Sequence, residues 1–418
     1  MLSSSGTGVA NDNLRRQGMK KTAIGMVLAA ATTGVAYAQT NVTLYGVADG
    51  NLRFDHTNLG TLKSVGSGGE SGSRWGIRGV EDLGGGLRAT FVFEQGIDIT
   101  DNSSPQGSIG GGASAGFGGS STALHSSTGS RLFSRIATVG LGGRFGEVRF
   151  GRGYSPLFLV QYAADPYAAG LVPGVANVFV NNTLRNDNAI FYDTPVVAGF
   201  QGLFNYQLGE STTNNTANAA TGQAKRGNDR LGAGITYTKG PLYAGVGYEH
   251  IKSNLDLYKV QTYDVVSTYD FGVVKLHALF WYTRNNNPNT TTTFGSTTRL
   301  SERTYFVGAT VPFGAWTLIG SWGHLRDNSS SNINQNLGTP RANLFGGAAK
   351  YSLSKRSVLY AAYARFSLLN GPLGNAFQGF NGLSDASNAG LYTTANLTGP
   401  AGVNVNPWSF QMGLRHTF

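Results

Sequence analysis

The sequence contains no cysteine, which excludes disulfide scaffolds, thiolate metal sites and cysteine nucleophiles together. Charged residues are only 13% of the chain and prolines number 12, too little charge to cover the surface of an ordinary soluble enzyme. Beyond residue 38 there is no apolar run near the ~20 residues that a membrane-spanning helix needs. The histidines His56, His125, His250, His277, His324 and His416 are scattered without ligand spacing, so no metal site and no cofactor is expected. A glycine-rich run at 103–130 is followed by no Gly-Lys-Ser/Thr and opens no helix, which removes a phosphate-binding loop and leaves no nucleic-acid or nucleotide signature.

What is present is glycine, 61 residues, with 19 tyrosines and 23 phenylalanines. Aromatic rings at this density suit strands and membrane interfaces, where one end of the ring is wet. From Met19 the chain reads MKKTAIGMVLAAATTGVAYA: two lysines, a short apolar run and the small-x-small ending Ala36-Tyr37-Ala38. These are the parts of a cleaved secretion signal. The expected domains are therefore a leader over 1–38, with translation beginning at Met19 and cleavage after Ala38, and a mature unit over 39–418. Removing the leader lowers the formal charge from +10 to +7, since it holds Arg15, Arg16, Lys20 and Lys21 against Asp12.

The mature chain repeats short segments with a two-residue period. Phe200, Gly202, Phe204, Tyr206 and Leu208 interleave with Gln201, Leu203, Asn205 and Gln207. Leu276, Ala278, Phe280 and Tyr282 alternate with His277 and Trp281, and Trp316, Leu318, Gly320 and Trp322 repeat the pattern. About sixteen such segments run from Asn41 to the last residue. Tight connections, such as those around Gly84 to Gly86, Gly272 and Gly314, alternate with long polar ones near 103–130, 211–221, 285–298 and 328–338. Hydrocarbon offers no hydrogen-bond partners, so strands cross it only as a closed ring. The expected fold is all-β: a 16-stranded antiparallel transmembrane β-barrel. Tyr45, Trp75, Tyr237, Tyr248, Trp408 and Phe418 are expected in interface girdles.

NVTLYGVAD at 41, SRWGIRGVEDLGGGL at 73, SRIATVGLGGRFGEVRFGRGYSPL at 134, RNDNAIFYDTP at 185 and the ending MGLRHTF resemble the general-diffusion porins of Gram-negative outer membranes, in particular the beta-proteobacterial branch. The resemblance spans nearly all of 39–418. It implies a homotrimer in the cell outer membrane, in contact with lipid and lipopolysaccharide, each subunit a water-filled pore for ions and small hydrophilic solutes narrowed by an inward-folded third loop. Pro156 to Leu184 is the segment that corresponds to that loop, and it is unusually apolar for an exposed connection. The terminal Phe418 resembles the signal by which the barrel-assembly machinery recognises its clients.

Alternation, with the apolar face toward lipid, directs Arg74, Arg78, Arg88, Arg135 and Arg149 into the lumen together with Glu94. The family pattern sets an arginine ladder against acids on the loop. Arg74, Arg135 and Arg185 match that ladder best, and Asp165 is the only carboxylate between Pro156 and Leu184. Fixed guanidinium charges with few opposing acids in a low-dielectric wall attract anions, so weak anion selectivity is expected. Arg152 falls on the other face and is expected at a strand end or in a subunit contact. A substrate-specific channel, with Trp281, Tyr363 and Tyr45 turned inward, is the alternative; saturable block by one solute would distinguish it. An enzyme is not expected, since no histidine lies in a recognisable catalytic motif.

Overall fold

Each strand carries one apolar and one mixed face, and the chain satisfies both by closing the sheet on itself. The computed structural model describes residues 41–57, 60–100, 132–174, 184–209, 229–252, 259–286, 301–328, 341–369 and 407–418. The leader, the whole Gly/Ser-rich run at 103–130 with His125, residues 175–183 of the expected third loop and the segment 211–221 lie outside the described residues, as do 287–298 and 329–338.

Seventeen strand segments form one antiparallel sheet. In chain order they are β1 (Asn41–Thr57), β2 (Gly60–Ser67), β3 (Arg74–Gly84), β4 (Leu87–Gly96), β5 (Ile136–Gly143), β6 (Gly146–Tyr154), β7 (Arg185–Asp193), β8 (Phe200–Gln207) and β9 (Arg230–Lys239). Then come β10 (Leu242–Lys252), β11 (Lys259–Asp270), β12 (Lys275–Asn286), β13 (Ser301–Phe313), β14 (Trp316–Asp327), β15 (Arg341–Ser352), β16 (Ser357–Leu369) and β17 (Trp408–Thr417). β2 and β3 lie end to end beside β1: Gly50 to Thr57 pair with β2 and Asn41 to Val47 with β3. They make one stave of the wall, so the barrel has sixteen positions. Closure is made by β1 against β17, from Val47↔Thr417 to His56↔Trp408.

The turns at one end are short. Gly84, Gly85 and Gly86 take φ of 80°, 62° and 81°, a left-handed run that only glycine adopts cheaply. The alternation holds at the outer surface, where Phe200, Phe204, Leu276, Trp316, Leu318, Trp322, Met412 and Leu414 are exposed. Tyr45 departs from the girdle expectation: its hydroxyl hydrogen-bonds Glu94 inside the wall.

The inner face is not uniformly polar. Leu279, Trp281, Phe306, Leu325, Leu344, Ala364 and Phe366 form an apolar patch on β12 to β16, and Val160, Tyr167, Leu171 and Val172 of the connection after β6 pack on it. That connection opens with α1 (Pro156–Ala164). Ser155 caps the helix by accepting from the Phe158 N–H, and Pro156 supplies the fixed φ of a first turn. Gly234 and Gly245 make room for α1: a Cβ at either would press on Val160.

Candidate functional site: a charged wall facing a seated loop

Glu94 on β4 gathers the site. Its Oε1 lies 2.7 Å from Arg135 Nε and its Oε2 3.3 Å from Arg74 Nε. Tyr45 donates its hydroxyl to the same Oε2 at 3.1 Å. Arg135 then donates from Nη2 to the Tyr154 hydroxyl at 3.1 Å, and Arg185 donates to that oxygen at 3.0 Å while its Cζ sits 4.6 Å from the Tyr154 ring centre. Three guanidiniums are thus tied by one carboxylate and one phenol. Cations sharing one acid keep an excess of positive charge, and charge-assisted hydrogen bonds hold each fork in place.

A second inward element meets this cluster. Between β2 and β3 the chain leaves the sheet at Gly68, with φ 77°, and returns at Arg74. The Asp49 carboxylate accepts from the backbone N–H groups of Glu70 at 2.8 Å and Ser71 at 2.7 Å, and from the Tyr360 hydroxyl. Arg74 Nη1 bonds the Gly72 carbonyl at 2.7 Å. Glu70 Oε1 lies 2.8 Å from Lys350 Nζ and 3.3 Å from Arg415 Nη1. A Cβ at Gly170 would overlap the Glu70 carbonyl, so this excursion abuts the loop that carries α1.

The described first half of that loop is anchored at three points. Tyr243 donates to the Val160 carbonyl at 3.1 Å, His277 Nδ1 lies 2.8 Å from the Ala164 carbonyl, and the Tyr167 hydroxyl is 2.8 Å from Ser321 Oγ. Burial pushes the Tyr167 hydroxyl up, so it stays protonated at neutral pH.

The predicted site residues fall into groups. Arg74, Arg135, Arg185 and Glu94 come together. Arg78 is exposed beside them, its Cζ 5.4 Å above the Tyr45 ring. Arg88 stands apart near the short-turn end, over Gly142. Arg149 is also separate, bonded to Asp193 and stacked 5.5 Å over Phe191. Asp165 turns its carboxylate back on its own loop, accepting from the Tyr167 N–H at 3.0 Å and the Ala169 N–H at 3.1 Å. Arg152 lies at a bulge between Gly151 and Gly153, with Nε donating to the Ser134 carbonyl at 2.6 Å. Trp281 is buried in the inner apolar patch, whereas Tyr363 faces outward.

Sequence reading missed Tyr154, Glu70, Lys350 and Arg415, and also the inward ion pair of Arg53 with Asp55 at 3.0 Å. The last was within reach, since Arg53 and Asp55 share the period of Asp49. Among the described residues no group of three or more potential metal ligands comes together.

A closed sheet with an apolar outer face, a charged inner wall and a loop seated across it defines a membrane-spanning channel. The chain belongs to the Gram-negative porin family, whose sequence model matches residues 25–371. It is an outer-membrane porin. It is 30% identical over 398 residues to an outer membrane porin protein of Bordetella pertussis, covering 83% of this chain and 94% of that one. Outer membrane porin protein 32 of Delftia acidovorans is 29% identical over 412 residues, 96% of this chain and 100% of the other. Among solved structures, an anion-selective porin from Comamonas acidovorans superposes with a TM-score of 0.66 at 25% identity, covering 91% of this chain and all of that one. OmpT of Vibrio cholerae in its trimer form shares the fold, with a TM-score of 0.57 at 12% identity, covering 91% of this chain and 99% of that one.

Proposed function

We propose that the chain is a homotrimeric general-diffusion porin with weak anion selectivity, and that solutes pass between the Glu94 cluster and the seated loop. The observation that carries this reading is the sharing of one carboxylate and one tyrosine hydroxyl by Arg74, Arg135 and Arg185. The donor nitrogens of Arg135 and Arg185 lie within about 6 Å of each other, since both reach one oxygen at 3.1 and 3.0 Å. Two unit charges at that distance repel by roughly 3 kcal/mol at an effective dielectric of ~20. A passing anion relieves that repulsion, and a cation adds to it.

The loop confines the path. Its apolar residues cover the apolar inner patch, which leaves the charged wall as the wetted side. Arg78 and Arg88 extend the positive wall toward the short-turn end, with Arg149 held by Asp193. Asp165, held by the N–H groups of the loop's own turn, is the single acid that the loop sets against three arginines.

The anion-selective Comamonas relative and the trimeric Vibrio fold both support the reading. Export through the signal ending at Ala38, insertion by the barrel-assembly machinery through Phe418, and lipopolysaccharide as a neighbour complete it. Single-channel recording of mature protein in planar bilayers is the test: current rising in groups of three equal steps is expected. Folded protein that passes no current would overturn the function, and isolated single steps would overturn the trimer.

A further inference from the structure

The outward face of β10 to β15 carries a ladder of side chains that the pore does not use. Tyr248 pairs across strands with Tyr263, Tyr263 with Tyr282, Tyr282 with Arg303, Arg303 with Arg326, and Arg326 with Arg341. Their chain neighbours Glu249, Thr262, Thr283, Glu302, Leu325 and Ala342 are buried toward the lumen. Successive side chains point to opposite faces of a strand, so all six members of the ladder point outward.

The ladder also climbs. Strands in such barrels tilt by ~35–45°, and cross-strand neighbours lie ~4.8 Å apart across that tilt, so height changes by about 3 Å per strand. The climb is toward the long-loop end. Tyr248, Tyr263 and Tyr282 each stand four residues from the strand terminus at that end, Arg303 two and Arg326 one, while Arg341 is itself the first residue of β15. Three tyrosines at the level of an interface girdle therefore lead into three arginines just above it.

Directly opposed like charges destabilise a sheet, and here two such oppositions are stacked side by side. Among the described residues no carboxylate pairs with Arg303, Arg326 or Arg341. Arg303 Cζ lies 5.7 Å over the Tyr282 ring, and Arg326 Nε donates to Asn328 Oδ1 at 3.0 Å. Arg341 Nε is buried without a hydrogen-bond partner. Arg284 adds a fourth positive charge beside the ladder, held by Gln261 Oε1 at 3.0 Å and the Tyr263 hydroxyl at 3.3 Å. Elsewhere on the outward face Arg152 is neutralised in place by Asp187 at 3.4 Å.

We infer that Arg303, Arg326 and Arg341 form a docking site for the phosphate groups of an outer-leaflet lipopolysaccharide, with Tyr248, Tyr263 and Tyr282 lying along its acyl-chain boundary. The inference rests on the outer-membrane porin reading and adds a lipid site to it. Guanidinium forks match phosphate oxygens in pairs, and a phosphate placed between adjacent arginines turns mutual repulsion into attraction. A lipid-borne phosphate is favoured over a free one because the row sits on the lipid-facing side of the sheet, directly above aromatic rings that mark the edge of the hydrocarbon.

The test uses the full mature oligomer in detergent, titrated with diphosphorylated lipid A and with its dephosphorylated form, bound lipid being read by native mass spectrometry. Wild-type protein is expected to retain the diphosphorylated lipid and to hold the dephosphorylated one weakly. The triple variant R303Q/R326Q/R341Q is expected to lose about tenfold or more in affinity, close to 1.4 kcal/mol, with conductance steps unchanged. Should the triple variant fold poorly, R326Q alone is expected to weaken binding and R326K to restore part of it. Equal affinity of wild type and variants would overturn the site. So would dissociation of the variant oligomer, which would make the row a subunit contact, or displacement of the lipid by submillimolar inorganic phosphate, which would make it a free-anion site. Wild-type protein without channel current would instead remove the porin reading beneath it.

Discussion

Arg135 and Glu94 are joined twice: Nε of the arginine lies 2.7 Å from the carboxylate, and its backbone N–H bonds the Glu94 carbonyl at 3.1 Å. The acid therefore fixes the arginine at the point where β5 begins. Glu94→Gln keeps the shape and removes the charge that offsets three arginines. The expected result is a zero-current potential in a salt gradient that moves further in the chloride direction, with lower thermal stability, since one hydrogen bond to a charged group contributes about 1.5–3 kcal/mol. A shift toward potassium would contradict the placement of Glu94 in the ion path.

Tyr154 is the common acceptor of Arg135 and Arg185. Tyr154→Phe keeps the ring under Arg185 and removes the oxygen. Both guanidiniums then lose a partner, and noisier open-channel current with an unchanged sign of selectivity is expected in single-channel records. A quiet channel identical to wild type would show that the phenol does not hold the two forks.

The Glu70 contact with Lys350 and Arg415 fastens the Gly68 to Ser73 excursion to the neighbouring wall at β15 and β17. Removing one partner of a buried ion pair costs about 3–5 kcal/mol, and lumen water puts this pair at the lower end. Glu70→Ala is expected to raise single-channel conductance and to speed the entry of neutral sugars in liposome swelling, as the excursion loosens. Unchanged swelling rates would mean that the excursion does not narrow the pore.

Leu171 is fully buried between the loop and the inner apolar patch. Leu171→Ala leaves a cavity under the loop, at a cost of about 2–5 kcal/mol. Brief closures and a spread of conductance levels are expected in long recordings, together with a lower unfolding midpoint. Recordings free of such events would show that the loop is held by its polar anchors alone.

Much of this was legible in the residues because a strand wall repeats with period two. Phe200, Leu276 and Trp316 declare the lipid face, and Arg74 and Glu94 follow by alternation. Arg135 reaches the lumen by a different route, since it precedes β5 and Thr138 and Gly140 already set the inward phase there. The apolar character of the third loop was visible, but not its seat, because Phe306, Leu344 and Phe366 lie on a face that period-two reading assigns to water. Glu70 sits in a Gly/Ser stretch that reads as an ordinary turn, and only the Asp49 carboxylate, 21 residues earlier, explains its fold. Asp165 could not be placed either, as its hydrogen bonds depend on the left-handed φ of Ala168 and Ala169, 49° and 53°.

The most direct measurement is the zero-current potential of the mature protein in a planar bilayer across a tenfold potassium chloride gradient, repeated for Arg74→Gln, Arg135→Gln and Arg185→Gln. A chloride about 5 Å from one guanidinium in water-like surroundings gains roughly 0.8 kcal/mol, so each substitution is expected to lower chloride occupancy of the neck by about fourfold at low salt. Wild-type protein should show a potential of the sign for chloride preference, with each variant moving it toward zero. A wild-type potential of the opposite sign, or variants that leave it unmoved, would contradict an arginine-lined neck as the seat of selectivity.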